Sequence, residues 1–382
     1  MSEASGGGLW VHNPVAPTPQ LIKMMRKLES QYGPVRHIVL GTVALEHKAT
    51  LGPFAQYFPD ATVWLQPGQW SFPLQLPIQF LGVSQTGSKL QSIPPSPTNT
   101  NNKKNKQQQQ VVTGLPEWTA DIEYEVLDPL RFKSVGAFSE TAFFHKVSKS
   151  LIITDSVVSV TADPPKIIQE DPRAMLFHAR DSIDEIVQDT EQSRKKGWRR
   201  MVQFGLVFFP SQIDVVSATD AISQASKIDP SMKPLGEGAV PFSLYPWKWH
   251  DNDADLQNFQ VISNGGKLFC PPILTKLILD REPTRTLEWV DRVSKRFDFQ
   301  RIIPGHLNNN VKATPKEFRE AFQVLRNNPT KGQVVPQRPL PEDLALLQKA
   351  SDLLTDFGVV GQSQVCDLEP ARKVGRFATT KI

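Results

Sequence analysis

Hydrophobic and polar positions follow two different periods at the start of this chain. Leu9-Trp10-Val11-His12-Asn13 and His37-Ile38-Val39-Leu40 are short apolar runs, the second ending at Gly41, and both read as strands. Between them Leu21, Met24, Met25 and Leu28 recur at helical spacing. Thr18-Pro19 ahead of them supplies an N-cap followed by Pro at the first helical position, and Gly33-Pro34 ends the helix. A second helix is predicted over 49–57, and 61–65 reads as a third strand. The first 68 residues therefore read βαβαβ, which predicts an α/β layer architecture.

Residues 84–114 break this pattern. They hold Pro94-Pro95, an Asn/Lys cluster at 99–106 and the run Gln107 to Gln110. Such a polar, low-complexity stretch buries too little apolar surface to order itself, so a disordered insertion is expected. Alternation then resumes at Ile122, Tyr124 and Val126, and 138–145 and 150–154 read as two strands joined by a turn at 146–149. Residues 171–279 look helix-rich and irregular. An amphipathic helix is expected over 284–297, a strand over 299–303, and a capping box at Thr314-Pro315-Lys316-Glu317 opens a further helix. A last helix is predicted over 342–357, stopped by Gly358. The expected organisation is a main domain over 9–325 interrupted by 84–114, a helical extension over 326–361, and a mobile basic tail over 362–382.

Composition narrows the class. A net charge of +4 on 382 residues gives no reason to expect nucleic acid. Cys270 and Cys366 are the only cysteines, which excludes a disulfide framework and a cysteine zinc site and fits a reducing compartment. The greasiest run, 201–210, is about half the roughly 20 residues that span a bilayer. The start MSEASGGGLW has neither the basic n-region and apolar h-region of a secretory signal nor an Arg-rich transit composition. An intracellular, soluble protein of cytoplasm or plastid is expected. Arg194, Lys195, Lys196, Arg199 and Arg200 precede the apolar run, so 194–209 reads as a solvated helix face or, alternatively, a membrane-surface contact.

Chemistry-bearing side chains fall at strand ends, where sites of open α/β sheets lie. Glu46-His47 sit in a loop past the strand 37–40, Asp155 ends the apolar run Leu151-Ile152-Ile153-Thr154, and His306 follows Ile303-Pro304-Gly305. Each has a plain structural alternative: a loop pair for Glu46-His47, a turn cap for Asp155, and a backbone hydrogen bond for His306. Together they make a mixed imidazole and carboxylate donor set suited to zinc, iron or manganese. His145, inside the strand 138–145, is a secondary candidate as ligand or proton shuttle, against a packed strand residue. His12 could line the same edge or be structural, and His37, His178 and His250 have no context that assigns them a role. No nucleophile elbow, P-loop or dinucleotide fingerprint is present.

The order of these elements resembles the metallo-β-lactamase fold and, more narrowly, a lactamase-like family of unassigned function. The phrases that carry the resemblance are LWVHNPVAPTP at 9–19, Arg36 to Val39 followed by Glu46-His47, TAFFHKVSKSLIITD at 141–155, and Ile303-Pro304-Gly305-His306. The resemblance implies an α/β, αββα sandwich with extra helices and metals at one sheet edge. Setting His47 on the last position of the H-x-H-x-D-H signature puts Glu46 on its Asp, Ala44 on its second His and Thr42 on its first. The donors of the first metal are therefore missing, while Asp155 falls on the bridging aspartate and His306 on the final histidine. This implies a metal-dependent hydrolase-like protein with one zinc, iron or manganese ion, using His47, Asp155 and His306 as ligands and Glu46 as ligand or general base. The partner would be a small-molecule substrate. The alternative is a non-catalytic binding or assembly module that has lost the site, holds no metal and meets a protein partner.

Overall fold

Strand-forming and helix-forming periods alternate over the first 68 residues, and the chain follows them. In the computed structural model, which describes residues 1–2, 6–69, 90–97, 115–133, 136–182, 185–227, 245–250, 254–326 and 341–364, the order begins β1 (Leu9–His12), α1 (Pro19–Tyr32), β2 (Val35–Leu40), α2 (Leu45–Ala55), β3 (Thr62–Leu65) and β4 (Leu90–Ser92). There follow β5 (Ile122–Val126), the ribbon of β6 (Leu130–Arg131) and β7 (Ala137–Phe138), then β8 (Thr141–His145) and β9 (Ser150–Ile152). A helical region holds α3 (Lys166–Gln169), α4 (Arg173–Ala179), α5 (Glu191–Val207), β10 (Ile213–Val215), α6 (Ala218–Lys227), β11 (Trp247–Trp249) and α7 (Ala254–Ser263). The chain then runs through α8 (Pro272–Leu277), α9 (Pro283–Arg296), β12 (Arg301–Ile303), α10 (Pro315–Ala321) and α11 (Pro341–Asp356). The fold class is mixed α/β.

Two four-stranded sheets carry the core. The first has the order β1-β2-β3-β4, all parallel. The second has the order β12-β9-β8-β5, with β12 parallel to β9 and the other pairs antiparallel. Side-chain alternation decides which face meets what. Val11, Ile38, Leu40, Val63 and Leu65 turn one face of the first sheet onto Met25, Leu51 and Phe54 of α1 and α2. Trp10, Val39 and Trp64 turn the other face onto Ile122, Tyr124, Phe143 and Ile152 of the second sheet. Trp118, fully buried, packs edge-on to Trp64 and Tyr124 in that interface. The outer face of the second sheet, with Ala142, Phe144, Leu151 and Ile302, packs on Leu287, Val290 and Val293 of α9 and Phe318 and Ala321 of α10.

Local signals in the sequence explain several boundaries. Thr18 Oγ1 accepts the Leu21 N–H at 3.2 Å, with Pro19 at the first turn of α1. Thr314 and Glu317 form the expected capping box on α10. Other boundaries differ. α2 begins at Leu45 rather than near 49: Leu-Glu-His-Lys has no breaker, and Glu46 lies in the first turn, where the helix dipole favours an anion. The expected strand 138–145 is split at Ser139-Glu140, where the backbone also bridges to Thr42 beyond β2. Part of 84–114 is ordered after all. β4 pairs with β3, Ile93 is buried, and buried Ser96 Oγ accepts the Val126 N–H at 2.7 Å. The rest of that stretch, and the tail beyond 364, lie outside the described residues.

The basic cluster sits on α5 and is occupied by internal ion pairs. Arg200, only 3% exposed, bonds Asp181 Oδ1 at 2.6 Å and Asp255 Oδ2 at 3.2 Å. Arg199 reaches Asp255 at 2.7 Å, Lys196 reaches Asp181 at 2.8 Å, Arg194 reaches Asp189 at 2.6 Å, and Lys195 reaches Asp163 at 2.9 Å. A buried cation such as Arg200 needs such partners, and all five charges pair with acids of the same fold. No described helix is long and apolar enough to cross a membrane.

His178 of α4 lies among Phe177, Phe204 and Trp247. Burial, with Arg180 and Arg200 adding to it, pushes its pKa down to about 4. The unfolded chain takes up this proton near pH 6.5 and the folded chain does not, so stability is full above that pH and falls as pH drops toward 4. Denaturant midpoints between pH 7 and 4 should therefore decline less in His178→Phe than in the parent, by at most about 3 kcal/mol.

Candidate metal centre

The two sheets meet where β2 and β9 end. Beyond β2 the backbone of residues 41–43 pairs with residues 139–141: Thr141 N–H reaches Gly41 O at 2.8 Å and Val43 N–H reaches Ser139 O at 3.2 Å. Asn13, at positive φ after β1, cross-links three segments. Its Oδ1 accepts the Gly41 N–H and its Nδ2 donates to Thr154 Oγ1, both at 2.9 Å. The strand ends that carry the candidate donors are thus fixed to one another before any ligand is considered.

His47 projects from the first turn of α2, Asp155 from the segment after β9, and His306 from the segment after β12. The last two run side by side: Gly305 N–H bonds Thr154 O at 3.1 Å, and a Cβ on Gly305 would stand 3.0 Å from that oxygen, so the approach requires glycine. Three donor atoms converge. His47 Nε2 lies 3.2 Å and His306 Nε2 2.9 Å from Asp155 Oδ1, and the two Nε2 atoms are 3.1 Å apart. With Glu46 included, one donor atom from each of the four residues lies within 4.8 Å of the others. Glu46 is exposed, at the mouth, while His47 and Asp155 are each 12% exposed in their side chains.

Hydrogen bonding alone satisfies this triangle poorly. Two ring nitrogens share one carboxylate oxygen and also touch each other. If both carry protons, two N–H groups crowd together; if one does not, its lone pair faces the carboxylate. A cation among the three atoms removes the conflict, since all three then present lone pairs to it, and imidazole with carboxylate is a donor set for zinc, iron or manganese. The four residues fit a metal.

The surroundings orient the donors. Thr42 Oγ1 donates to Asp155 Oδ2 at 3.1 Å and accepts the Ala44 N–H at 3.2 Å. Glu140, fully buried, accepts the N–H groups of three consecutive residues: that of Thr154, that of Asp155 at 3.1 Å, and that of Ser156 at 3.1 Å. Burial raises the Glu140 carboxyl and the charge of Asp155 adds to this, against the pull of the three amides. Burial also works to raise the Asp155 carboxyl, but its hydrogen bonds with His306 and His47 prevail and hold it below the usual carboxylate range. The same bond to Asp155 raises His306.

His12 lies behind the site. It stacks on Trp10, its Nε2 is buried without a hydrogen-bond partner, and a Cβ on Gly41 would come within 2.6 Å of that atom. Burial, then the neighbouring His47, pushes its pKa down to about 3. His145 does not join the cluster. It pairs with Ser150 at the opposite end of β9 from Asp155, and its Nδ1 lies 2.7 Å from Ser148 Oγ. Two surface clefts of ≈ 590 and ≈ 610 Å³ lie elsewhere, one lined by Lys195, Arg199 and Phe259 and the other by Arg131, Arg281 and Arg285. Glu140 escaped the sequence reading. Its signal was a lone charge in an otherwise uncharged stretch, Ala137 to Phe144, where an exposed turn acid reads the same way.

Among known proteins, residues 3–324 match the family model described as Domain of unknown function (DUF4336). No curated protein and no solved structure matches the chain.

Removing the Glu140 carboxylate strands three adjacent amides away from water. Glu140→Ala is expected to lower unfolding free energy by about 3 kcal/mol or more, read as a fall in the urea midpoint.

Proposed function

The chain belongs to the DUF4336 family, and from the site's geometry we propose that it is a single-metal hydrolase-like protein with a metallo-β-lactamase-like, αββα arrangement. What supports the fold reading is the pair of sheets packed face to face with α1 and α2 outside one and α9 and α10 outside the other. The observation that carries the functional reading is the triangle of His47 Nε2, His306 Nε2 and Asp155 Oδ1, with edges of 3.1, 2.9 and 3.2 Å. Thr42 and Ala44 stand where a second metal would need imidazoles. Ala44 has no donor and Thr42 spends its hydroxyl on Asp155, so the reading is one metal.

His47, His306 and Asp155 would hold the ion, and Glu46 is the exposed carboxylate beside it. A bound divalent cation lowers the pKa of water toward neutrality and polarises an acyl or phosphoryl oxygen. Asp155 would meet the ion as a carboxylate, and Thr42, bonded to its Oδ2, and Glu140, bonded to its backbone N–H, fix its orientation. Glu46, exposed at the mouth, can take a proton from water on its free carboxylate oxygens and return it to a leaving group. The substrate therefore enters from the Glu46 side.

Elemental analysis by inductively coupled plasma mass spectrometry tests this. The purified protein should carry about one equivalent of zinc, iron or manganese, and His47→Ala/His306→Ala should carry none. Metal absent from both after reconstitution rejects the reading and leaves a binding module. Thr42→Val should keep the fold and weaken metal affinity about tenfold or more, since outer partners of ligands are worth that much, measured by chelator competition.

A further inference from the structure

Resting on the single-metal reading, we propose that Leu307 is a positioning residue of the site: seated in the core of the helical region, it aims His306 at Asp155 and His47, and through it that region regulates how well the three donors converge.

Each donor is held differently. The side chains of His47 and Asp155 are 12% exposed, and Asp155 is tied by Thr42 and Glu140. The His306 side chain is 43% exposed, and its ring meets the other two donors. Packing around the ring therefore does little to aim it, and its direction is left to the backbone that carries it.

That backbone is pinned on both sides. Before the histidine, Gly305 N–H bonds Thr154 O at 3.1 Å; after it, Asn308 N–H bonds Ser159 O at 3.1 Å. Asn308 Nδ2 also donates to Ser159 Oγ at 3.3 Å, and that hydroxyl donates to Gly266 O at 2.8 Å. Between the pins Leu307 takes φ 62°, in the left-handed region that glycine and asparagine enter more readily than leucine. A leucine held in that conformation requires surroundings that fix it there. Its side chain packs against a cluster that includes Trp198 and Val202 of α5, Phe259 and Ile262 of α7, and Leu347 of α11.

The same cluster takes Val158, on the segment that leaves Asp155, whose backbone pairs with that of Phe269 at 2.9 and 3.0 Å. Both segments that leave the second sheet with a donor thus enter one apolar core, and that core belongs to the helical region. His47 is anchored elsewhere, since Leu51 and Phe54 of α2 pack on the first sheet. Because Glu140 and Thr42 fix Asp155, a shift of the helical region falls chiefly on His306. Such coupling is reciprocal: whatever draws the three donors together also steadies α5 and α7.

Zinc affinity by chelator competition, with the urea midpoint of the zinc-free protein beside it, tests the proposal without any assay of activity. Leu307→Gly keeps the left-handed turn and removes the seated side chain, whereas Leu307→Met keeps an apolar side chain in the seat. Zinc binding should weaken about tenfold or more in Leu307→Gly and stay close to the parent's in Leu307→Met. Unchanged affinity in Leu307→Gly, whatever its urea midpoint, would overturn the proposal, and so would equal losses in the two variants. Amide hydrogen exchange on the parent needs no variant: zinc should slow exchange in α5 and α7 more than in α1. Equal slowing in all three helices is what a purely global stabilisation produces, and it too would overturn the proposal. No zinc uptake by the parent would overturn the single-metal reading and this proposal together; uptake with any of the contrary results above removes this proposal alone.

Discussion

A carboxylate sealed from water is tolerated only when enough donors surround it, and Glu140 meets that condition with three consecutive amides. Most of what is specific to this molecule follows from that contact. It bends the chain after β9, so that Thr154, Asp155 and Ser156 present their N–H groups inward and Asp155 its side chain outward. The same residue lies at the break between β7 and β8, where its backbone bridges Thr42. Thr42 in turn bonds Asp155. One buried acid thus connects the end of β2, the start of β8 and the end of β9, and the two histidines find a fixed carboxylate between them.

Much of this was legible in the sequence. The helical spacing of Leu21, Met25 and Leu28, the Thr18-Pro19 start and the Thr314 capping box are local signals, and the elements they announce are present. His47, Asp155 and His306 could be singled out because an apolar strand points to its own carboxyl end, and those ends are where the structure brings them together. Less legible were features that depend on a partner far along the chain. Nothing near Glu140 announces that the N–H groups it accepts lie 14 to 16 residues on. The order of Ile93 and Ser96 depends on β3 and Val126, not on their polar neighbours. The start of α2 was placed late because Glu46-His47 were read as loop residues by their chemistry rather than by their helix propensity.

Charge on α5 is another feature whose partners lie outside the local sequence. Five cations within seven residues read as a solvated helix face or, alternatively, a membrane-surface contact. Asp163, Asp181 and Asp255, from other segments, and Asp189, just ahead of the helix, converge on α5. The near balance of acids and bases over the whole chain, 39 against 43, left room for that outcome. A local run of one sign says little until the opposite sign has been located.

The last described helix has a consequence for how the molecule is made. Asp343 of α11 is fully buried, accepting the Ser211 N–H at 2.6 Å and a hydrogen bond from Asn258. Ser211 and Asn258 are synthesised long before it, so during translation the helical region lacks the Asp343 acceptor that joins them until the chain near 343 has left the ribosome. The two sheets need nothing beyond β12 and α10 and can close earlier. Synthesis therefore imposes an order, sheets first and helical region last, and chaperones would meet the nascent protein chiefly through the face that α11 later covers.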